Sequence, residues 1–184
     1  MKNKNYLIRK SYVYIIILMG SYLKAQTLNI SGTNWAVAVP AITEAGTNYT
    51  GTYDNPNQLT LSGLLPGSIL SLLATNGARI SMHYVPITWN SNLHLYAKRS
   101  GGTTKINGLC VLCTATINGG NVNFIEIPQA TSATLSTINF SGLLGVDNSV
   151  NYSAINVQLE IRGVSVTIPA AAYSTQVVFT IGPN

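Results

Sequence analysis

The side chains able to do chemistry are few and scattered. Cys110 and Cys113 are the only cysteines, and their Cys-x-x-Cys spacing is that of a redox pair. Redox chemistry needs a helix N-terminus to lower the first thiol's pKa, whereas Val111, Leu112 and the run Thr114 to Ile117 favour β-structure. In an extended strand the two residues would face opposite sides about 10 Å apart, beyond the reach of a disulfide. Two readings stay open: a local turn closes a small disulfide loop, or both thiols remain free. A zinc site would need a second cysteine pair.

His83 and His94 flank what reads as a hairpin, where equal stepping would set them opposite each other. Two imidazoles without a third ligand make no recognisable metal motif. The acids lie one per segment, so no facing carboxylate pair is on offer for glycoside hydrolysis. There is no Gly-x-Ser-x-Gly elbow, no His-Glu-x-x-His and no Gly-rich phosphate loop before a helix. No catalytic, metal or cofactor residue is therefore assigned, and the chain reads as a non-enzyme. The aromatic residues remain. Trp89, flanked by Asn90 and Asn92 in the loop Pro86 to Asn92, could stack a sugar, with the two amides as hydrogen-bond partners; alternatively it folds back over the open end of a core. Trp35 alternates with Val37 and Val39 and reads as core, although it and Tyr49 could also contribute to a platform.

The elements that would hold these residues read as strands throughout. Ile155, Val157, Leu159 and Ile161 alternate with Asn156, Gln158, Glu160 and Arg162, the pattern of a strand with one face buried. After Gly163 the apolar phase shifts to Val164, Val166 and Ile168, which predicts a β-bulge or corner at the glycine. Tyr173, Thr175, Val177, Phe179 and Ile181 share one face of a closing strand.

Earlier in the chain, short strands are expected at Leu28 to Ile30, Trp35 to Val39, Thr47 to Tyr53 and Leu59 to Leu61, with Asp54-Asn55-Pro56-Asn57 as a turn. Ser68 to Ala74 suits either a buried strand or a helix, and strand is preferred because nothing nearby is helical. Further strands are expected at Ile80 to Tyr84, Leu93 to Lys98, Cys110 to Ile117, Val122 to Ile127 and Thr134 to Phe140. Ser100-Gly101-Gly102 and Asn118-Gly119-Gly120-Asn121 read as turns. About ten short strands at this spacing predict an all-β, antiparallel β-sandwich of Ig-like or Greek-key type. The motif Ser62-Gly63-Leu64-Leu65 recurs as Ser141-Gly142-Leu143-Leu144, each time after an alternating strand.

The N-terminus carries a different signal. Lys2, Lys4, Arg9 and Lys10 precede an apolar run, Tyr12 to Leu18, and a tail ending Lys24-Ala25-Gln26. A basic head, a short apolar centre and a small residue describe a secretory signal peptide, with cleavage expected after Ala25. The run is shorter than the roughly twenty residues a membrane span needs, so no stable membrane insertion is expected after cleavage. Residues 26–184 would form one domain. Its Arg79, Lys98, Arg99, Lys105 and Arg162 balance Glu44, Asp54, Glu126, Asp147 and Glu160, so the basic charge of the whole chain belongs to the leader. Nucleic-acid binding through net charge is excluded on that account. The expected location is outside the cytoplasm: extracellular, at the cell surface or in the periplasm.

The Pro-Ala-rich corner followed by Tyr173-Ser-Thr-Gln-Val-Val-Phe-Thr-Ile181 resembles the last strand of secreted fimbrial subunits of the spore-coat-protein-U type, although the chain ends Ile181-Gly-Pro-Asn184 rather than on an aromatic residue. The resemblance implies an Ig-like sandwich that polymerises when an N-terminal strand of one subunit completes the next. Gln26 to Ile30 would then be the donor, anchored by Leu28 and Ile30, and the terminal strand would flank the acceptor groove. The expected function is a structural or adhesive cell-surface subunit whose partners are copies of itself or other surface proteins. A glycan-binding module centred on Trp89 is the alternative.

Overall fold

The computed structural model describes residues 25–39, 53–66 and 76–184. The expected leader, the strand at Thr47 to Tyr53 (apart from Tyr53 itself), Tyr49 and the Ser68 to Ala74 segment lie outside these residues. Within them the chain is all-β and antiparallel. Its seven strands are β1 (Thr27–Gly32), β2 (Tyr53–Pro66), β3 (Asn76–Thr88), β4 (His94–Asn118), β5 (Ile125–Glu126), β6 (Ala133–Arg162) and β7 (Ser174–Pro183).

Two strands dominate. β4 and β6 pair from His94↔Arg162 to Asn118↔Thr137, a ribbon far longer than an ordinary strand pair. This ribbon is bent. Register shifts fall at Asn107/Leu109, Cys110/Val111 and Val111/Thr114, and the Thr104 hydroxyl donates to the Ala115 carbonyl at 2.9 Å, so the two halves of β4 face each other. β6 serves both halves, since its C-terminal part also pairs with β2 and its N-terminal part with β3. The path β1-β2-β6-β3-β7 therefore curls around the core.

On one side the curl is stitched. β5 pairs with the start of β4, the Ile127 amide donates to the Leu95 carbonyl (2.8 Å), and the Tyr84 amide donates to the Pro128 carbonyl (3.0 Å). Segment 125–128 thus joins β4 to β3. On the other side β1 and β7 approach with Cα atoms within 8 Å. Among the described residues, however, the β1 ladder goes to β2 and the β7 ladder to β3. The result is a sheet nearly closed into a barrel, with one seam.

The core lies inside this curl. Leu61, Ile80, Met82, Ile138, Val150, Tyr152, Ile155 and Val157 are almost fully buried, and each aliphatic among them contributes about 1.5–3 kcal/mol of burial. The alternation read at Ile155, Val157 and Leu159 is present, and of the face read from Tyr173 to Ile181 the residues Val177, Phe179 and Ile181 turn to the core, while Tyr173 precedes β7.

Three expectations about the strands are corrected. First, the ten short strands become seven among the described residues because glycine pairs bend strands instead of ending them. Gly101 (φ 62°) and Gly102 (φ 106°) lie inside β4, and Ser141-Gly142 lies inside β6. The cluster Asp54 to Asn57 is likewise a register irregularity within β2, not a turn. Second, Gly163 (φ 83°) is no bulge inside a continuing strand. β6 ends at Arg162, and an added Cβ at Gly163 would strike the Asn92 carbonyl oxygen. The phase change marks a strand end, followed by a turn through Val166 and Thr167. Third, Trp35 to Val39 is not a strand, and Val122 to Ile127 shrinks to β5.

Candidate functional site

The seam is the place where, among the described residues, two neighbouring strands of the curl do not pair with each other. β1 belongs to it because its sequence is short and only half apolar. Leu28 packs against the core, while Ile30 is 49% exposed. Six consecutive residue pairs, Thr27↔Leu64 to Gly32↔Leu59, hold β1 on β2. Side chains reinforce this ladder. The Thr27 hydroxyl accepts from the Leu64 amide (2.9 Å), the Ser31 hydroxyl donates to the Thr60 carbonyl (3.3 Å), and the Gln58 amide donates to the Thr33 carbonyl just beyond the strand.

One tether comes from further away. Tyr152, on β6, donates its hydroxyl to the Thr27 carbonyl at 2.5 Å. β2 stands between β6 and β1, and Gly63 makes the passage. A Cβ at Gly63 would collide with both the Tyr152 hydroxyl and the Thr27 carbonyl oxygen. Burial pushes the Tyr152 hydroxyl up to about 12, so it stays a proton donor at ordinary pH. Nothing in the sequence singled out Tyr152. The one available hint was a glycine soon after the alternating pair Leu59 and Leu61, which in a strand is the sign of a close approach.

The other sequence-derived candidates fall in separate places. Cys110 and Cys113 are joined in a disulfide across a Cα–Cα distance of 5.8 Å. Leu112, at φ 53°, supplies the local turn that an extended strand lacks. Gly142 of β6 lies against this loop, where a Cβ would overlap Cys113 Sγ. Leu109, Val111 and Leu112 stand exposed around it.

Trp89 is half-buried. It packs on the core and lies 6.0 Å from the Tyr84 ring, centroid to centroid, and its indole N–H donates to the Leu93 carbonyl (3.0 Å). Asn90 Oδ1 accepts from the Asn92 amide (3.0 Å), so that side chain shapes the turn beside the tryptophan. Trp35 also packs on the core.

The histidines are not opposite each other, because β3 and β4 do not pair. His83 stands across from Val178 and His94 across from Arg162. Among the described residues no three His, Cys, Asp or Glu side chains gather where a metal could bind.

A charged island on the outer face was not legible in the sequence. Glu126, Tyr96 and Glu160 form one row across β5, β4 and β6, with the outer two about 10 Å apart by strand spacing. Both carboxylates are engaged. Glu126 meets His94 Nδ1 at 2.9 Å, and Glu160 meets Arg162 Nε at 2.5 Å. The Arg162 guanidinium lies 4.0 Å from the Tyr96 ring centroid, and its hydrogen bond to Glu160 raises its pKa. Each acid thus has a basic partner, the Arg162 guanidinium for Glu160 and the His94 imidazole for Glu126. Arg99, by contrast, is buried and bonded to backbone carbonyls, Gly119 (2.8 Å) and Gly101 (2.5 Å). Desolvation lowers its pKa, and its contacts fasten the turn after β4.

No family model, curated protein or solved structure matches the chain.

Proposed function

We propose that this chain is a secreted, non-enzymatic structural or adhesive subunit of a cell-surface assembly, joining to other copies or surface proteins by β-strand addition. The seam supports this reading. Among the described residues β1 pairs on one side only, with β2, and the side it turns from β2 lies near β7, which pairs only with β3. If β1 leaves, β2 and β7 border a groove that Gln26 to Ile30 of another copy can fill in the same register. Leu28 would then take the position its own copy vacates. The same reading treats the sheet as an Ig-like sandwich whose layers are the two halves of the folded β4–β6 ribbon, and the N-terminal 25 residues as the export signal.

The test is electron microscopy of the protein from Gln26 onward, beside a form lacking Gln26 to Ser31. Filaments in the first and folded, unassembled protein in the second are expected. Assembly that survives the deletion overturns strand exchange. A secreted glycan-binding module is the second reading. What favours it is that Trp89 stays half-exposed at the end of β3; loss of sugar binding in Trp89→Ala is its test.

A further inference from the structure

One row of residues crosses four adjacent strands on the outer face and has a gap in it. Thr116 of β4 stands opposite Asn139 of β6, and Asn139 opposite Gly77 of β3. Beyond Gly77 comes Asn184, just after β7, whose amide donates to the Gly77 carbonyl (3.3 Å). Four strands span about 14 Å. Gly77 contributes no side chain, so the row dips there, and Asn184 Nδ2 reaches across the dip to Asn139 Oδ1 (3.2 Å). In the adjacent row the Thr114 and Ser141 hydroxyls share a hydrogen bond of 2.8 Å. These six residues line most of a shallow cleft of about 430 Å³.

The chemistry of the lining selects the class of ligand. None of the chain's charged side chains lines the cleft. Hydroxyls and amides both donate and accept, and several capacities remain after the internal bonds are made. The Asn139 amide N–H donors, the Asn184 carbonyl oxygen and the second acceptor site on each hydroxyl are available. Such groups match the alternating donors and acceptors of sugar hydroxyls, and they offer no charge to a phosphate, sulfate or carboxylate. The bonds Asn184–Asn139 and Thr114–Ser141 hold the lining before a ligand arrives, which lowers the ordering cost of binding. The volume lies in the range of small-ligand sites.

We propose that this cleft is a binding site for a neutral saccharide, read by Thr116, Asn139 and Asn184. It is separate from Trp89, and it does not depend on assembly by strand exchange.

Two arms distinguish the sources of such a sugar: an array of soluble neutral and acidic oligosaccharides, and co-sedimentation with insoluble neutral polysaccharides. Both use the protein from Gln26 onward. The expected result is binding of neutral members in one arm or both, with no preference for acidic ones. Asn139→Ala should weaken binding about tenfold, as expected for a lost ligand hydrogen bond. Gly77→Ala fills the dip, because its Cβ would lie 3.0 Å from Asn184 Cβ, and should weaken binding at least as much. Thermal unfolding establishes that each variant is folded, and Thr116→Val gives a third, nearly isosteric measure. The proposal is overturned if no neutral saccharide binds, if acidic sugars are preferred, or if folded Asn139→Ala and Thr116→Val bind unchanged. Loss of binding in Trp89→Ala alone also overturns it and moves the site to the tryptophan.

Discussion

The β4–β6 wall and the β1–β7 seam are made of the same antiparallel ladders and differ in what backs each strand. β6 has a partner on both sides along most of its length and core beneath it. Among the described residues β1 has one partner, and its Leu28 is a partly buried side chain against the core. In the wall, loss of a side chain leaves a cavity that its neighbours cannot close. At the seam, the same loss exposes a surface already half wet. Among the described residues, packing is thus concentrated in the wall and not at the seam.

The sharpest test of that contrast is a pair of truncations. Ile155→Ala in the wall should cost about 2–5 kcal/mol in denaturant unfolding, whereas Ile30→Ala at the seam should stay within about 0.5 kcal/mol. Equal costs would erase the distinction. Arg99→Ala comes next. It strips a charged donor from the Gly101 and Gly119 carbonyls and should cost about 3 kcal/mol, since each bond to a charged group contributes about 1.5–3. A cost no larger than that of Lys98→Ala would show that the turn does not need the buried cation.

The disulfide ranks third. Replacing Cys110 and Cys113 together by serine should cost no more than about 2 kcal/mol, because the closed loop is very short. Midpoints measured with and without reductant should agree with that figure.

Tyr152→Phe should cost only about 1 kcal/mol of global stability, but it should act selectively. Hydrogen exchange at β1 amides should quicken more than at β4 or β6. Uniform quickening would mean that the tether does not belong to the seam. The pH dependence has a definite sign. The folded-state pKa of Tyr152 is raised from 10.0 to about 12, so its contribution is complete below pH 10 and is lost as pH rises towards 12. In Tyr152→Phe that alkaline step should be absent.

Much of the barrel wall was legible because strand alternation is a local property. Ile155, Val157 and Leu159 face inward as their spacing requires, and Phe179 does so in β7. The ends of strands were harder to read. Gly101-Gly102 looks like a turn because glycine permits positive φ, yet here that freedom lies inside a paired strand. The repeated Ser-Gly-Leu-Leu motif is instructive. Its glycines, Gly63 and Gly142, both leave room for a group from another strand, the Tyr152 hydroxyl in one case and Cys113 Sγ in the other. What the glycine makes room for depends on residues 89 and 29 positions away, and no local pattern carries that.

By itself, then, the sequence determined that the chain is β-structured and antiparallel, which faces of its strands turn inward, and that its charge outside the first 25 residues sums to zero. Those properties depend on side-chain type and on a period of two. The tertiary structure alone decided that the sheet curls almost closed and that, among the described residues, β1 and β7 come near each other without a shared ladder. It also decided that Tyr152 passes Gly63 to hold β1, and that Thr116, Asn139, Gly77 and Asn184 fall in one row. Each of these rests on register between strands distant in the chain, where a shift of one residue would turn every side chain to the other face.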